Sequence, residues 1–220
     1  MAKGKLIVFE GADGSGKATQ AKLLLEFLKR ERISAEFISF PRYEKSLWGK
    51  MVKRYLNGEF GKVDEVSPYL ASVLYAGDRM SASAQIRKWL SEGKMVICDR
   101  YVGSNIAHMT AKLQTSSSKL QFIKWLEEFE YGENKIPKED LVIFLSVPVE
   151  VSQKLMDDRK LDIHERDASY LKRVVKEYES LARERKNWVR VECLENGRLM
   201  TPEVIHKRVL EVLKQKIFIH

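Results

Sequence analysis

Cysteine is scarce in this chain, with only Cys98 and Cys193 among 220 residues. Each sits in or beside a β-like run, and they have neither metal-site spacing nor the framework of a secreted disulfide protein. Both therefore read as small core residues. Long apolar runs are missing too: none approaches the roughly 20 residues that a membrane-spanning helix needs. The first ten residues, MAKGKLIVFE, form a charged tip followed by a short strand rather than a secretory signal. The expectation is a soluble, cytoplasmic protein with no membrane partner. Internal repeats and low-complexity stretches are absent. So are Ser-His-Asp and Cys-His arrangements, which argues against covalent nucleophilic catalysis.

What is present is one domain's worth of core material: 44% hydrophobic residues over a chain read as a single domain, 1–220. The formal net charge of +8 favours anionic partners without naming them. Basic residues fall in helical patterns such as KLLLEFLKRER and KRVVKEYE, so most read as solvated helix faces. The charge and four tryptophans suggest, as an alternative, an ATPase acting on nucleic acid. No aromatic-basic recognition motif supports it, and no nucleic-acid partner is expected.

Short β-branched runs alternate with longer helical patterns, the signature of βα units around a parallel sheet covered on both faces. Five strands are predicted: LIVF (6–9), AEFISF (35–40), MVIC (95–98), LVIFLS (141–146) and WVRVE (188–192). After the first, Ala21, Leu24, Leu25 and Leu28 recur at helical spacing as a buried stripe, with Lys22, Lys29, Arg30 and Glu31 facing water. Further helices are predicted over about 68–92, 167–186 and 202–213, the last opened by Thr201 as cap and Pro202.

The strongest chemical signal follows the first strand directly: Gly11-Ala12-Asp13-Gly14-Ser15-Gly16-Lys17, running straight into a helix. Glycines let backbone N–H groups curl around phosphate oxygens, the helix N-terminus adds partial positive charge, and Lys17 adds a full one. The pattern expects Ser or Thr after the lysine to touch Mg²⁺, whereas this chain has Ala18 followed by Thr19. Thr19 is turned by about 100° on a helix and is no obvious substitute. Metal is therefore expected to be held by nucleotide, water and a carboxylate. Asp99, at the end of the MVIC run, is the candidate ligand, and Arg100 beside it offers a planar fork of donors to a phosphate.

Together FEGADGSGKATQ (9–20), FPRYE (40–44), YLNGEFG (55–61), LYAGDR (74–79) and DRYVGSN (99–105) closely resemble the thymidylate kinase family, in matching order and spacing over nearly the whole chain. The resemblance implies a P-loop nucleoside-monophosphate kinase fold, of class α/β, with a five-stranded parallel sheet flanked by helices and a small lid at about 157–167. It implies transfer of the γ-phosphoryl group of ATP to dTMP, giving ADP and dTDP, with Mg²⁺, in dTTP synthesis for DNA replication. ATP phosphates are assigned to Gly11, Asp13, Gly14, Ser15, Gly16, Lys17, Ala18 and Thr19. Lys17, Asp99 and Arg100 are assigned to catalysis, joined by lid cations. Gly14 stands where some relatives carry a loop arginine, so Arg159, Lys160 and Arg166 are the candidates.

For dTMP the resemblance implies Arg42 and Arg100 at the acceptor phosphate, Asp13 at the sugar and phosphate, and Ser104 within the same segment. Tyr75 is implied as the base's stacking platform, Arg79 and Asn105 as its hydrogen-bonding partners. On its own pattern Tyr75 reads more readily as core, so the stacking role rests on the resemblance. His164 is either a surface histidine or a group near the acceptor. His108 stands where some relatives have a tyrosine that crowds a ribose 2′-hydroxyl, which leaves sugar discrimination open. The resemblance also implies a homodimer, for which Leu70, Val73 and Leu74 would serve unless they are core.

Overall fold

The computed structural model describes residues 3–62, 65–155, 164 and 167–218. In chain order these form β1 (Lys5–Glu10), α1 (Lys17–Arg30), β2 (Ala35–Ser39), α2 (Leu47–Leu56), α3 (Pro68–Ser91), β3 (Met95–Asp99) and α4 (Val102–Thr110). There follow α5 (Ser116–Glu127), running into a π-helical turn (Glu128–Glu133), β4 (Leu141–Ser146), α6 (Val149–Lys154), α7 (Ala168–Glu184) and β5 (Trp188–Glu192). A small hairpin, β6 (Leu194–Glu195) and β7 (Arg198–Leu199), leads to α8 (Pro202–Lys216).

The five predicted strands pair in the order β2-β3-β1-β4-β5, every pair parallel. Their unbroken apolar runs have a physical reason. Leu6 and Val8 of β1 pack on one side of the sheet with α2 to α5 and α7, while Ile7 and Phe9 pack on the other with α1 and α8. Of the predicted α1 stripe, Ala21, Leu24 and Leu28 are fully buried; Leu25 lies at its margin, half-buried. The four charged residues expected in water are exposed. Cys98 and Cys193 are buried core thiols with no disulfide. No helix among the described residues is long and apolar enough to cross a membrane.

Local chemistry sets the helix ends. Ser46 accepts from the Gly49 N–H (2.7 Å) to open α2, and Asp167 accepts from Ser169 and Tyr170 N–H groups (2.9 and 3.0 Å) to open α7. Thr201 precedes α8 as predicted, but its side chain caps no backbone N–H, leaving Pro202 to set the entry. The connection after β1 leads toward β2 on one side, and the chain after β3 crosses to β4 on the other. The loops therefore part over the carboxyl ends of β1 and β3, where such sheets bind ligands.

Candidate active site

The loop between β1 and α1 forms the floor. Gly16 precedes α1 with φ 85°, a left-handed conformation that glycine adopts without penalty, and it turns the chain so that α1 begins at Lys17. The first N–H groups of α1 have no partners within the helix and can meet an anion. Lys17 is buried and donates from Nζ to the Ala12 carbonyl at 2.7 Å. Burial lowers its ammonium to about 8; Arg100 acts in the same direction and Asp13 against it. Ala18 and Thr19 are both exposed, so Thr19 does not turn inward to replace the missing hydroxyl.

Arg100 follows β3 with φ 64°, an uncommon conformation for a residue with a side chain and one that recurs at functional sites. Three bonds hold it there. Its N–H donates to the Phe9 carbonyl (3.0 Å), its carbonyl accepts from the Cys98 thiol (3.1 Å), and Nη1 donates to Ser104 Oγ (3.1 Å). Nη2 is paired with Asp13 across the loop. Burial pushes the Asp13 carboxyl up, but the charges of Arg100 and Lys17 outweigh it and hold the group well below the usual carboxylate range.

Beside this pair opens a cleft of about 540 Å³, counted with the solvent space at its mouth. Asp13, Arg100, Ser104, Tyr75, Arg79, Asn105 and His164, all expected at dTMP, line it, together with the aromatic rings of Phe40 and Tyr43. Tyr75 is half-buried and meets Tyr55 edge to face. One turn along α3, Arg79 is 2% exposed and bound to Glu130, which is fully buried in the π-helical turn. Arg79 Nη1 also donates to the Tyr101 carbonyl at 3.2 Å. Burial disfavours the guanidinium charge, yet Glu130 more than offsets this and the Arg79 pKa rises. Asn105 is engaged with Ser72 at both ends of its amide, through bonds of 3.2 and 3.3 Å, at the long limit of the normal range.

Arg42 is not among the cavity-lining residues, although Pro41 and Tyr43 on either side of it are. Its guanidinium turns toward α3, where Nε donates to Asp78 Oδ1 (3.1 Å) and Nη2 to the Asp78 carbonyl (3.2 Å) and to Ser81. His164 is no surface residue, which removes one of the two readings of its pattern. It is 3% exposed, with Nδ1 at 2.7 Å from the Tyr170 hydroxyl and Nε2 at 3.1 Å from that of Tyr55. The Tyr170 hydroxyl donates to the His108 carbonyl (2.7 Å), so Nδ1 of His164 carries the proton and Nε2 accepts. Burial, followed by the Lys112 charge, holds His164 down to about 3. His108 also lines the cavity, and burial followed by the charge of His164 holds it well below the usual histidine range. Leu70 is exposed and Val73 and Leu74 half-buried. Arg159, Lys160 and Arg166, with the rest of the expected lid apart from His164 and Asp167, lie outside the described residues.

For Mg²⁺ the fit is that of a hydrated, nucleotide-held ion. Asp99 Oδ1 and Ser15 Oγ are buried without hydrogen-bond partners among the described residues. Those residues include no cluster of three acidic, histidine or cysteine side chains that would make a protein cage. Sequence reasoning missed Glu10, Asp78, Glu130 and Tyr178 as parts of the site. The signal for Glu10 was present: a carboxylate closing an apolar strand at the sheet's ligand-binding edge is rarely buried without a task. Glu130 and Asp78 carry no comparable mark in the sequence.

Comparison with known proteins bears on the family and the fold. A sequence model of the family described as Thymidylate kinase matches residues 9–200. The chain is 30% identical to the thymidylate kinase of Plasmodium falciparum (isolate 3D7) over 216 residues, covering 98% of this chain and 92% of that protein. It is 33% identical to the probable thymidylate kinase of Methanococcus aeolicus, also over 216 residues, with 96% and 97% covered. The solved thymidylate kinase of Candida albicans superposes with a TM-score of 0.77 at 25% identity, covering 98% of this chain and 93% of that one. The chain therefore belongs to the thymidylate kinase family and has the P-loop nucleoside-monophosphate kinase fold, making it a phosphotransferase.

Proposed function

We propose that this chain transfers the γ-phosphoryl group of ATP to dTMP, with Mg²⁺ held by the nucleotide, water and Asp99. The observation that carries this reading is the joining of two charge systems. The Asp13–Arg100 pair spans from the phosphate loop, where Lys17 sits, to the wall of a cavity lined by Tyr75 and Arg79. Donor and acceptor phosphates repel, and a transferase must neutralise both and hold them in line. Lys17 and the N-terminal amides of α1 are assigned to the donor phosphates. Arg100 is assigned to the acceptor phosphate, with Asp13 beside it and Ser104 steadying it. Arg42 joins them by exchanging its contacts with Asp78 and Ser81 for the incoming anion.

Tyr75 stacks on the base, while Arg79, fixed by Glu130, donates to a pyrimidine carbonyl. Asn105 reaches the ring edge by giving up its long bonds to Ser72. His164 shapes the acceptor side of the cavity as a neutral ring. Mg²⁺, held by the nucleotide, water and Asp99, would supply charge neutralisation at the donor phosphates. Lid cations complete the set, with Arg159 and Arg166 assigned there, in a cytoplasmic homodimer for which exposed Leu70 offers contact area.

Chromatographic separation of nucleotides after incubation with ATP and Mg²⁺ tests the assignment against dTMP, dUMP, dGMP and dCMP. The expected result is dTDP as the fastest-formed diphosphate. Faster formation of dGDP than dTDP would refute the base assignment.

A further inference from the structure

We infer that Glu10 is a positioning residue for the acceptor phosphate, acting through Ser104 and the first turn of α4 to set the direction of Arg100. This rests on the reading that Arg100 holds that phosphate. Glu10 is the last residue of β1 and is fully buried. Its Oε1 accepts from the N–H groups of Tyr101 and Ser104, both at 2.9 Å. These are the two donors that a capping box satisfies reciprocally, at the N-cap and three residues on. Tyr101 cannot cap its own helix. A single oxygen from a neighbouring strand serves both donors instead.

The second oxygen makes the link to chemistry. Ser104 Oγ donates to Glu10 Oε2 at 2.5 Å, and the Tyr178 hydroxyl donates to the same oxygen at 3.2 Å. With its proton committed to Glu10, Ser104 Oγ presents lone pairs to Arg100 Nη1 at 3.1 Å. Arg100 is thus tied to the end of β1 twice: its backbone N–H through Phe9, and its guanidinium through Ser104 and Glu10. Gly103 makes room for this. A Cβ there would lie 2.9 Å from Glu10 Oε1 and 2.7 Å from the Trp188 ring, so any side chain would push the carboxylate off the helix end. The arrangement holds a guanidinium in an unusual backbone conformation without a carboxylate directly beneath it, leaving Asp13 as its ion-pair partner.

The test is a double-mutant cycle of Glu10→Gln and Ser104→Ala, read by kcat, KM for dTMP, KM for ATP and melting temperature, with dTMP binding measured separately by calorimetry. In Glu10→Gln the amide oxygen still accepts from both N–H groups. The amide nitrogen donates where Oε2 accepted, so the Ser104 proton loses its carboxylate acceptor and is left with the neutral Tyr178 hydroxyl at 2.9 Å. Loss of one hydrogen bond to a charged group predicts a fall in kcat/KM for dTMP of roughly 10- to 100-fold. KM for ATP is expected to change by no more than about twofold. Ser104→Ala leaves both capping bonds to Glu10 Oε1 in place, and so tests the link if Glu10→Gln folds poorly. It is expected to give a similar loss, and the double variant no more than about twofold beyond it.

A merely structural Glu10 would lower the melting temperature and leave the kinetics of the folded enzyme within about twofold. That outcome, or two losses that multiply in the double variant, overturns the inference. Wild-type protein that neither binds nor phosphorylates dTMP would overturn the functional reading, and the Glu10 role with it. Normal wild-type turnover with an insensitive Glu10→Gln would sink the Glu10 role alone.

Discussion

Replacing Glu130 by alanine leaves the Arg79 guanidinium buried with its charge uncompensated. Arg79 is 2% exposed and Glu130 fully buried, and both Nε and Nη2 of the arginine donate to Glu130 Oε1, leaving the Tyr101 carbonyl as a neutral acceptor for Nη1. Removing one partner of such a pair destabilises by about 3–5 kcal/mol, because the desolvation of the remaining ion is no longer offset. Replacing both partners with apolar residues of similar shape is far milder, since no charge stays behind. In urea, a slope near 3 kcal/mol/M for a chain of this length turns that loss into a midpoint shift of roughly 1–1.7 M. Glu130→Ala should therefore unfold at much lower urea with an unchanged slope, and Glu130→Leu with Arg79→Met should recover most of the loss. The double variant should still fail to select dTMP, because the donor proposed for the pyrimidine carbonyl is gone. A single variant within about 1 kcal/mol of the parent would refute the reasoning and show that water or a neighbouring group reaches Arg79.

Three further outcomes follow from the site. Lys17 is held at about 8 before nucleotide arrives, and phosphate will raise it. ATP binding at pH 9 should thus take up close to one proton, roughly 0.9, seen as a dependence of binding heat on buffer ionisation enthalpy. No uptake, or uptake that persists in Lys17→Met, would contradict this. His164 is neutral when folded, with its pKa lowered from 6.5 to about 3, whereas the unfolded chain binds a proton below 6.5. Its contribution to stability is complete above pH 6.5 and is lost as pH falls toward 3. His164→Asn should be less acid-sensitive in that window, and parallel stability curves would argue otherwise. Ala18→Ser should change kcat only modestly at saturating Mg²⁺, and a large gain would show that the missing hydroxyl limits metal binding.

Much of the frame was legible because it rests on local pattern. The five strands read as continuous apolar runs since helices cover both faces of the sheet. The phosphate loop read from its glycines and lysine. α2, α4 and α5 were not foreseen: α4 is short and buried on most sides, so it has no polar face to set a helical period. The π-helical turn brings Glu130 into a tertiary contact with Arg79, which no local spacing announces. Arg42 illustrates the converse. FPR marks it as an acceptor ligand, yet Asp78, 36 residues away, takes the guanidinium in this structure. Glu10 was visible but mute, because its meaning lies in β1 ending beneath the first turn of α4.

The most direct test of the central claim is ADP formation by the wild-type chain with ATP and Mg²⁺, measured with dTMP and with no acceptor, alongside Arg100→Ala. The account predicts turnover that depends on dTMP, a low blank rate, and a loss of roughly 100-fold or more in the variant, as when a charge aimed at the transferring group is removed. Equal ADP formation with and without dTMP, or undiminished turnover in Arg100→Ala, would contradict it.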